Sequence, residues 1–347
     1  MQEILDEQIT LSETGLSRSD FVSDQMVKWC PGCGNHAILN AVTQVLPKLG
    51  YRKENYVMVS GIGCSSRFPY YVDTFGFHGI HGRAAAIASG MKIANPKLSI
   101  WVSTGDGDSM AIGGNHFIHS IRRNIDMTVM LFNNQIYGLT KGQFSPTTAM
   151  GYITKTSPYG TLEAPFRPAD LVMGAQGSFF ARMADTNPKI MADILEEAAL
   201  HRGTSVVEIL QNCIIFADKV HAMVTGKESR DDHQVYLKHG EPILFGKDKT
   251  KGIRLNRCRL EVVELGKDGV TIEDILVHDR YDSDSTIQML LARMNPPEFP
   301  MALGIIRSVK TDSFVQLMDE QINEHKTKSS IHCVDDMLNS GDVFEIK

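Results

Sequence analysis

Two short turns carry the residue types that hold a divalent cation against a polyphosphate. In Gly105-Asp106-Gly107 a carboxylate sits between glycines, where bare backbone approaches phosphate oxygens closely. In Asn133-Asn134-Gln135-Ile136, Asn134 offers a side-chain carbonyl and Ile136 a backbone carbonyl. Magnesium takes oxygen ligands in octahedral array and commonly bridges one or two carboxylates and a substrate's phosphates. The stretch between the turns, Asp108 to Phe132, has the length of a crossover helix plus one parallel strand, so neighbouring strand ends would face one ion. A lone Gly-Asp-Gly is a surface turn; its pairing with Asn-Asn at crossover distance gives it meaning.

Six cysteines form the second group. Cys30 and Cys33 put two thiols on one tight turn, Trp29-Cys30-Pro31-Gly32-Cys33-Gly34, as metal sites require. Cys64 and Cys213 each follow an apolar run that reads as a strand. Four thiolates meeting there suit structural Zn²⁺ or an iron–sulfur cluster, and spacing alone does not choose. Cys258 and Cys333 have no partner at ligand spacing and read as isolated small side chains.

The elements that would position these groups alternate between strand and helix. Ala37, Ile38, Ala41, Val42, Val45, Leu46 and Leu49 recur at helical intervals. Residues 56–60, 98–104, 127–132, 178–183 and 205–210 read as strands, with helices over 84–94, 117–123 and 188–202. This order implies an α/β fold with a mainly parallel, doubly wound sheet. Ligands in such folds sit at the carboxyl ends of strands, and the glycine- and cysteine-bearing turns fall there, after 60, 104, 132 and 210. The Thr147–Arg167 stretch reads as a long functional loop. Gly61-Ile62-Gly63 is no dinucleotide fingerprint, because Ser66 stands where the last glycine belongs. Beyond residue 225 the pattern changes. Residues 253–265 and 270–277 read as strands joined by the Gly266-Lys267-Asp268-Gly269 turn, and 287–294 and 314–323 as helices. The expected division is 1–225 as the cofactor domain and 226–347 as a smaller α+β extension for subunit docking.

The paired turns resemble the signature of thiamine diphosphate enzymes. That resemblance implies Asp106, Asn134 and Ile136 as magnesium ligands, with Gly107, Asp108, Gly138 and Leu139 along the diphosphate or thiazolium. A thiamine cofactor beside a redox cluster has a chemical purpose, whereas zinc at the reacting edge has none, which favours iron–sulfur. Trp29-Cys30-Pro31-Gly32-Cys33-Gly34-Asn35-His36, Gly61-Ile62-Gly63-Cys64-Ser65-Ser66, His78-Gly79-Ile80-His81-Gly82-Arg83-Ala84 and both magnesium-side turns occur in order. Together they closely resemble the β subunits of 2-oxoacid:ferredoxin oxidoreductases over about residues 20–220, the 2-oxoglutarate branch nearest.

The resemblance implies one [4Fe–4S] cluster on Cys30, Cys33, Cys64 and Cys213, and cofactor contacts from Ile62, Gly63, Cys64, Ser65, His81, Gly82 and Arg83. It implies oxidative decarboxylation of 2-oxoglutarate, with coenzyme A as co-substrate and ferredoxin as electron carrier, or the reverse carboxylation of a reductive tricarboxylic acid cycle. His81, Leu139 and Arg67 are the candidates nearest the reacting atoms; a basic residue at Arg67 resembles a contact to the substrate's distal carboxylate. Packing or hydrogen bonding explains His78 equally well. Complete thiamine enzymes carry an activating glutamate on a second domain, for which this chain has no room. The family expectation is a larger α subunit in an α2β2 heterotetramer. Pyruvate or branched-chain 2-oxoacids, a non-redox thiamine enzyme half with structural zinc, and a zinc-stabilised binding module are the competing readings.

Bulk composition agrees. A net charge of −6 gives no basic surface for nucleic acid or anionic lipid. No run approaches a membrane span, and the polar, acidic start lacks an apolar signal core, so the expectation is a cytoplasmic enzyme.

Overall fold

Apolar side chains alternate along the central strands, and each alternation feeds one of two cores. On β1 (Tyr56–Ser60), Val57 and Val59 face one side while Tyr56 and Met58 face the other. β3 (Ser99–Gly105) and β4 (Met127–Asn133) divide likewise: Ile100, Val102, Val129 and Leu131 against Trp101, Met130 and Phe132. Strands buried on both faces need helices on both. The Asn35–Val45 and Pro188–Leu200 helices cover one core. Helices Ala84–Ala94, Gly114–Arg122 and Pro168–Gly174 cover the other, where Ala84 and Ala88 allow close approach to the sheet. This computed structural model describes residues 15–344 and residue 346; the opening segment through residue 14 lies outside the described residues.

The remaining strands are β2 (Phe75–His78), β5 (Phe179–Ala184), β6 (Thr204–Leu210), β7 (Gln234–Leu237), β8 (Leu244–Phe245), β9 (Lys251–Asn256), β10 (Arg259–Glu264) and β11 (Met301–Ser308). The main sheet runs β2-β1-β3-β4-β6-β5-β11-β7, parallel except where β11 meets β5. β1, β3, β4 and β6 are therefore consecutive neighbours, and their carboxyl ends carry the four motif-bearing turns.

The expected division at residue 226 marks a change of topology and not a break in the sheet, since β7 and β11 complete it. The rest of that half is a small antiparallel sheet, β10-β9-β8, and helices including Thr286–Ala292 and Phe314–Lys328. The hairpin expected at Gly266–Gly269 turns earlier. β9 pairs with β10 from Asn256 opposite Arg259, with Arg257 in the left-handed region at φ 55°. The Gly266 turn instead ends β10, and 270–277 holds a short helical turn at Ile272–Asp274. Among the described residues no helix is long and apolar enough to cross a membrane.

Candidate active site

The first pocket opens at the ends of β1, β3 and β4. Ile62, Gly63, Cys64, Ser65, His81, Asp106, Gly107, Asp108, Asn134, Ile136, Gly138 and Leu139, all expected from sequence, line it. Gly82 and Arg83 are set back: the Gly82 amide donates to Asp108 at 2.8 Å, and Arg83 precedes the first turn of the Ala84–Ala94 helix.

The two aspartates of the Gly-Asp-Gly-Asp turn do different work. Asp106 is buried, and its Oδ2 accepts from the Ser145 hydroxyl at 2.6 Å and from Thr147. Burial pushes the carboxyl up to about 6 against those hydrogen bonds, and a cation nearby would favour its charged form. Asn134, at the end of the neighbouring strand β4, lines the same pocket. The Asn134 oxygen accepts from the Ile136 amide at 3.1 Å, closing a turn in which Gln135 is left-handed at φ 56°. A buried carboxylate and an amide oxygen lining one pocket are donor types that suit magnesium beside a diphosphate.

Asp108 serves the scaffold. Its Oδ1 accepts from the Ile62 amide at 3.0 Å and the Gly82 amide at 2.8 Å; its Oδ2 accepts from the Thr104 hydroxyl at 2.7 Å. His81 Nδ1 lies 2.9 Å from Oδ1, an ion-pair distance without hydrogen-bond alignment. One side chain thus fastens three turns of the pocket, and a π-helical segment, Asp108–Ile112, begins at it. Asp108→Ala, which strands those donors, should cost about 3 kcal/mol or more of stability. Asp108→Asn, whose amide can serve Thr104 while its oxygen keeps the two backbone donors, should cost far less. Thermal melts of the two variants check this contrast.

Sequence reasoning missed Tyr137, Gln211, Ser145 and Thr147. The Tyr137 hydroxyl donates to the Gly107 carbonyl at 3.1 Å, and a Cβ on Gly107 would lie 2.2 Å from its ring. Burial, then the charges of Asp106 and Asp108, push this phenol up to about 12, so it remains a donor. Ser145 and Thr147 open the long loop, and their hydroxyl-rich run was the available signal.

The second pocket gathers Cys30, Cys33, Cys64 and Cys213 with Trp29, Arg67, Ile214 and Ile215. The Cys33 amide donates to the Cys30 carbonyl at 3.1 Å, making the tight turn. Asp185 staples that turn to the end of β6: its carboxylate accepts from the Asn212 amide at 2.8 Å and leaves no room for a Cβ on Gly34. Trp29 Nε1 donates to the Cys64 carbonyl at 2.6 Å. Burial, opposed by a backbone hydrogen bond and reinforced by the other three thiols, pushes Cys33 up to about 12; Cys64 is pushed to about 11. Such thiols are inert until a metal displaces their protons. Arg67 lies in this pocket and favours the Cys64 thiolate, and among the described residues it pairs with no carboxylate.

The four cysteines share a pocket, yet among the described residues no three His, Cys, Asp or Glu side chains are grouped to hold one metal ion. The two pockets share Cys64, Asn134, Gly138, Leu139 and Gln211. At that wall a Cβ on Gly138 would lie 3.4 Å from Cys213 Sγ and 3.7 Å from Cys64 Sγ.

Fold and pocket define a thiamine-dependent enzyme. Residues 61–209 match the family model described as thiamine pyrophosphate enzyme, C-terminal TPP binding domain, thiamine pyrophosphate being the diphosphate under another name. The 2-oxoglutarate oxidoreductase subunit KorB of Mycobacterium tuberculosis is 46% identical over 304 residues, 87% of this chain and 81% of that protein. The 2-oxoglutarate synthase subunit KorB of Archaeoglobus fulgidus is 46% identical over 197 residues, 56% of this chain and 73% of that one. A solved structure of 2-oxoglutarate:ferredoxin oxidoreductase from Magnetococcus marinus, with 2-oxoglutarate, coenzyme A and succinyl-CoA bound, superposes with a TM-score of 0.75 at 30% identity. It covers 94% of this chain and 97% of its own. The chain belongs to the β subunits of the 2-oxoacid:ferredoxin oxidoreductase family.

Proposed function

We propose that this chain is the β subunit of a 2-oxoglutarate:ferredoxin oxidoreductase, interconverting 2-oxoglutarate and coenzyme A with succinyl-CoA and CO₂ while two electrons pass to or from ferredoxin. The observation that carries the reading is the wall shared by the two pockets, which sets a cysteine cradle against the thiamine site. Bound thiamine diphosphate supplies the carbon nucleophile that permits loss of CO₂, and a [4Fe–4S] cluster supplies the one-electron relay. Asp106, Asn134 and the Ile136 carbonyl would hold Mg²⁺, which would supply the positive charge that the diphosphate needs. Cys30, Cys33, Cys64 and Cys213 hold the cluster. His81, Leu139 and Gly138 border the reacting end, and the bare backbone of Gly138 keeps the path between the sites short.

A partner must complete the site. No glutamate lines the thiamine pocket among the described residues, and Asp106 and Asp108 are both committed. We assign the activating carboxylate to an α subunit in an α2β2 assembly. Apolar side chains left bare on the surface support this: Tyr159 at 99% and Leu162 at 90% exposure on the loop whose first residues bond Asp106, and Phe75 and Ile80 at and just after the β2 edge strand. Exposed apolar groups of this size mark interaction surfaces. A cluster-bearing enzyme served by ferredoxin belongs in the reducing cytoplasm.

Arg67 supplies the cation for a dicarboxylate's distal group. The test is anaerobic co-production with the α subunit, then a 2-oxoacid panel with coenzyme A and ferredoxin. 2-Oxoglutarate should give the highest kcat/KM. Arg67→Ala should raise KM for 2-oxoglutarate about tenfold or more, leaving pyruvate kinetics nearly unchanged. Unaltered 2-oxoglutarate kinetics in that variant would remove Arg67 from the substrate site, and a preference for pyruvate would move the enzyme to another branch.

A further inference from the structure

A buried ion pair lies behind the magnesium-side turn, outside both pockets. Arg182 on β5 and Glu208 on β6 are cross-strand partners, 5% and 3% exposed, with Nε 2.7 Å from Oε2. Such pairs add little stability, because desolvation offsets attraction; apolar replacements of similar volume are often as stable. A core that spends two charges here gains something other than stability.

The geometry shows what is gained. The other Glu208 oxygen accepts from Asn133 Nδ2 at 2.7 Å. A carboxylate only accepts, so it dictates which end of the Asn133 amide faces it. Asn133 Oδ1 is thereby turned to the Thr147 hydroxyl, 3.0 Å away, where it competes with the Asp106 carboxylate for that hydroxyl's single proton. The Asn133 carbonyl is fixed as well, accepting from the Gln211 amide at 3.0 Å and facing His221 Nε2 at 2.9 Å. Arg182 anchors the far end, donating to the Ala292 carbonyl at 3.2 Å and the Ala302 carbonyl at 3.3 Å. Those acceptors belong to the C-terminal half of the chain, for which the sequence suggested only subunit docking.

We infer that Arg182 and Glu208 are positioning residues for the magnesium site: they fix the amide orientation of Asn133, and through Thr147 the carboxylate of Asp106, and so tie the site to the C-terminal half of the chain. The inference rests on the magnesium reading of Asp106 and Asn134. It predicts a specific failure in Glu208→Gln. The single oxygen of glutamine cannot accept from Arg182 and Asn133 together. Once it takes Arg182, its NH₂ meets the NH₂ of Asn133, and the asparagine must turn its amide over.

The test is a Mg²⁺ titration of thiamine diphosphate binding to the intact complex with its α subunit, followed by calorimetry. Glu208→Gln should raise the half-saturating Mg²⁺ about tenfold, the scale of lost outer contacts at metal sites, with iron content and visible spectrum unchanged. The doubly apolar Arg182→Met/Glu208→Leu variant leaves no buried charge unpaired and should show the same shift with a near-native melting temperature. Half-saturation within twofold of the unaltered enzyme in either folded variant would overturn the inference. So would weakening that comes only with loss of the cluster and of folded structure, which would leave the pair a structural role. An unaltered complex that binds thiamine diphosphate without regard to Mg²⁺ would instead sink the magnesium reading itself.

Discussion

Serine at Cys30 or Cys33 should cut 2-oxoglutarate-dependent ferredoxin reduction by roughly a hundredfold or more while Mg²⁺-dependent thiamine diphosphate binding stays at the unaltered level. The separation follows from where the thiols lie. Of the two pockets, Cys30 and Cys33 line only the cysteine one, so their loss would reach the proposed cluster without touching the thiamine wall. Cys64 lines both pockets, and Cys213 Sγ lies beside Gly138, so serine there should abolish electron transfer and also disturb cofactor affinity. Cys258, exposed at the β9–β10 turn, and Cys333, exposed before the Val334–Leu338 helix, are the controls: serine at either should leave iron content and turnover unchanged. Iron analysis, the visible spectrum and single-turnover ferredoxin reduction are the measurements. Full iron and full turnover in Cys30→Ser would take that residue off the cluster. Zinc in place of iron in the anaerobically purified protein would return the chain to the non-redox reading.

The site was more legible in the sequence than the frame around it, for physical reasons. Asp106, Asn134, Cys64 and Cys213 belong to turns after strongly apolar strands, and Cys30 and Cys33 share one tight turn before a helix, so residue type and spacing there are dictated by chemistry. The strands β1, β3, β4 and β6 are buried on both faces and read as continuous apolar runs. β2 gave no such signal, because Phe75–His78 is an exposed edge. β11 is buried, yet no strand was read over Met301–Ser308; near its end the Arg307 guanidinium donates to the Gly177 carbonyl and to Gln288, partners far away in sequence. Asp108 was read as a cofactor contact from its place in the motif. Its donors, Ile62, Gly82 and Thr104, are distant in sequence, and only the folded sheet brings them together. The same holds for Arg182 and Glu208. Each is a charged residue in an apolar strand, and nothing local says that the two face each other.

Asp106→Asn should produce the opposite separation to the cysteine variants: a brown protein with its full complement of iron that no longer turns over. Asparagine keeps an oxygen for Ser145 and Thr147 but removes the negative charge by which Asp106 would hold the proposed Mg²⁺. A fall in Mg²⁺-dependent thiamine diphosphate affinity of roughly a thousandfold, about 4 kcal/mol, is the expected scale for losing a charged ligand in a buried site. The substitution should not unfold the chain. Burial makes the Asp106 charge costly in the metal-free protein, and a neutral amide of the same shape removes that cost. Without Mg²⁺, Asp106→Asn should therefore melt no lower than the unaltered protein. Only the unaltered protein should gain melting temperature when Mg²⁺ and thiamine diphosphate are added, because binding to the folded state alone is what raises it. Ligand-induced stabilisation of equal size in both proteins would show that Asp106 is no magnesium ligand. A colourless Asp106→Asn protein would show that the two pockets do not assemble independently, and the shared wall at Cys64 and Gly138 would then be where one site depends on the other.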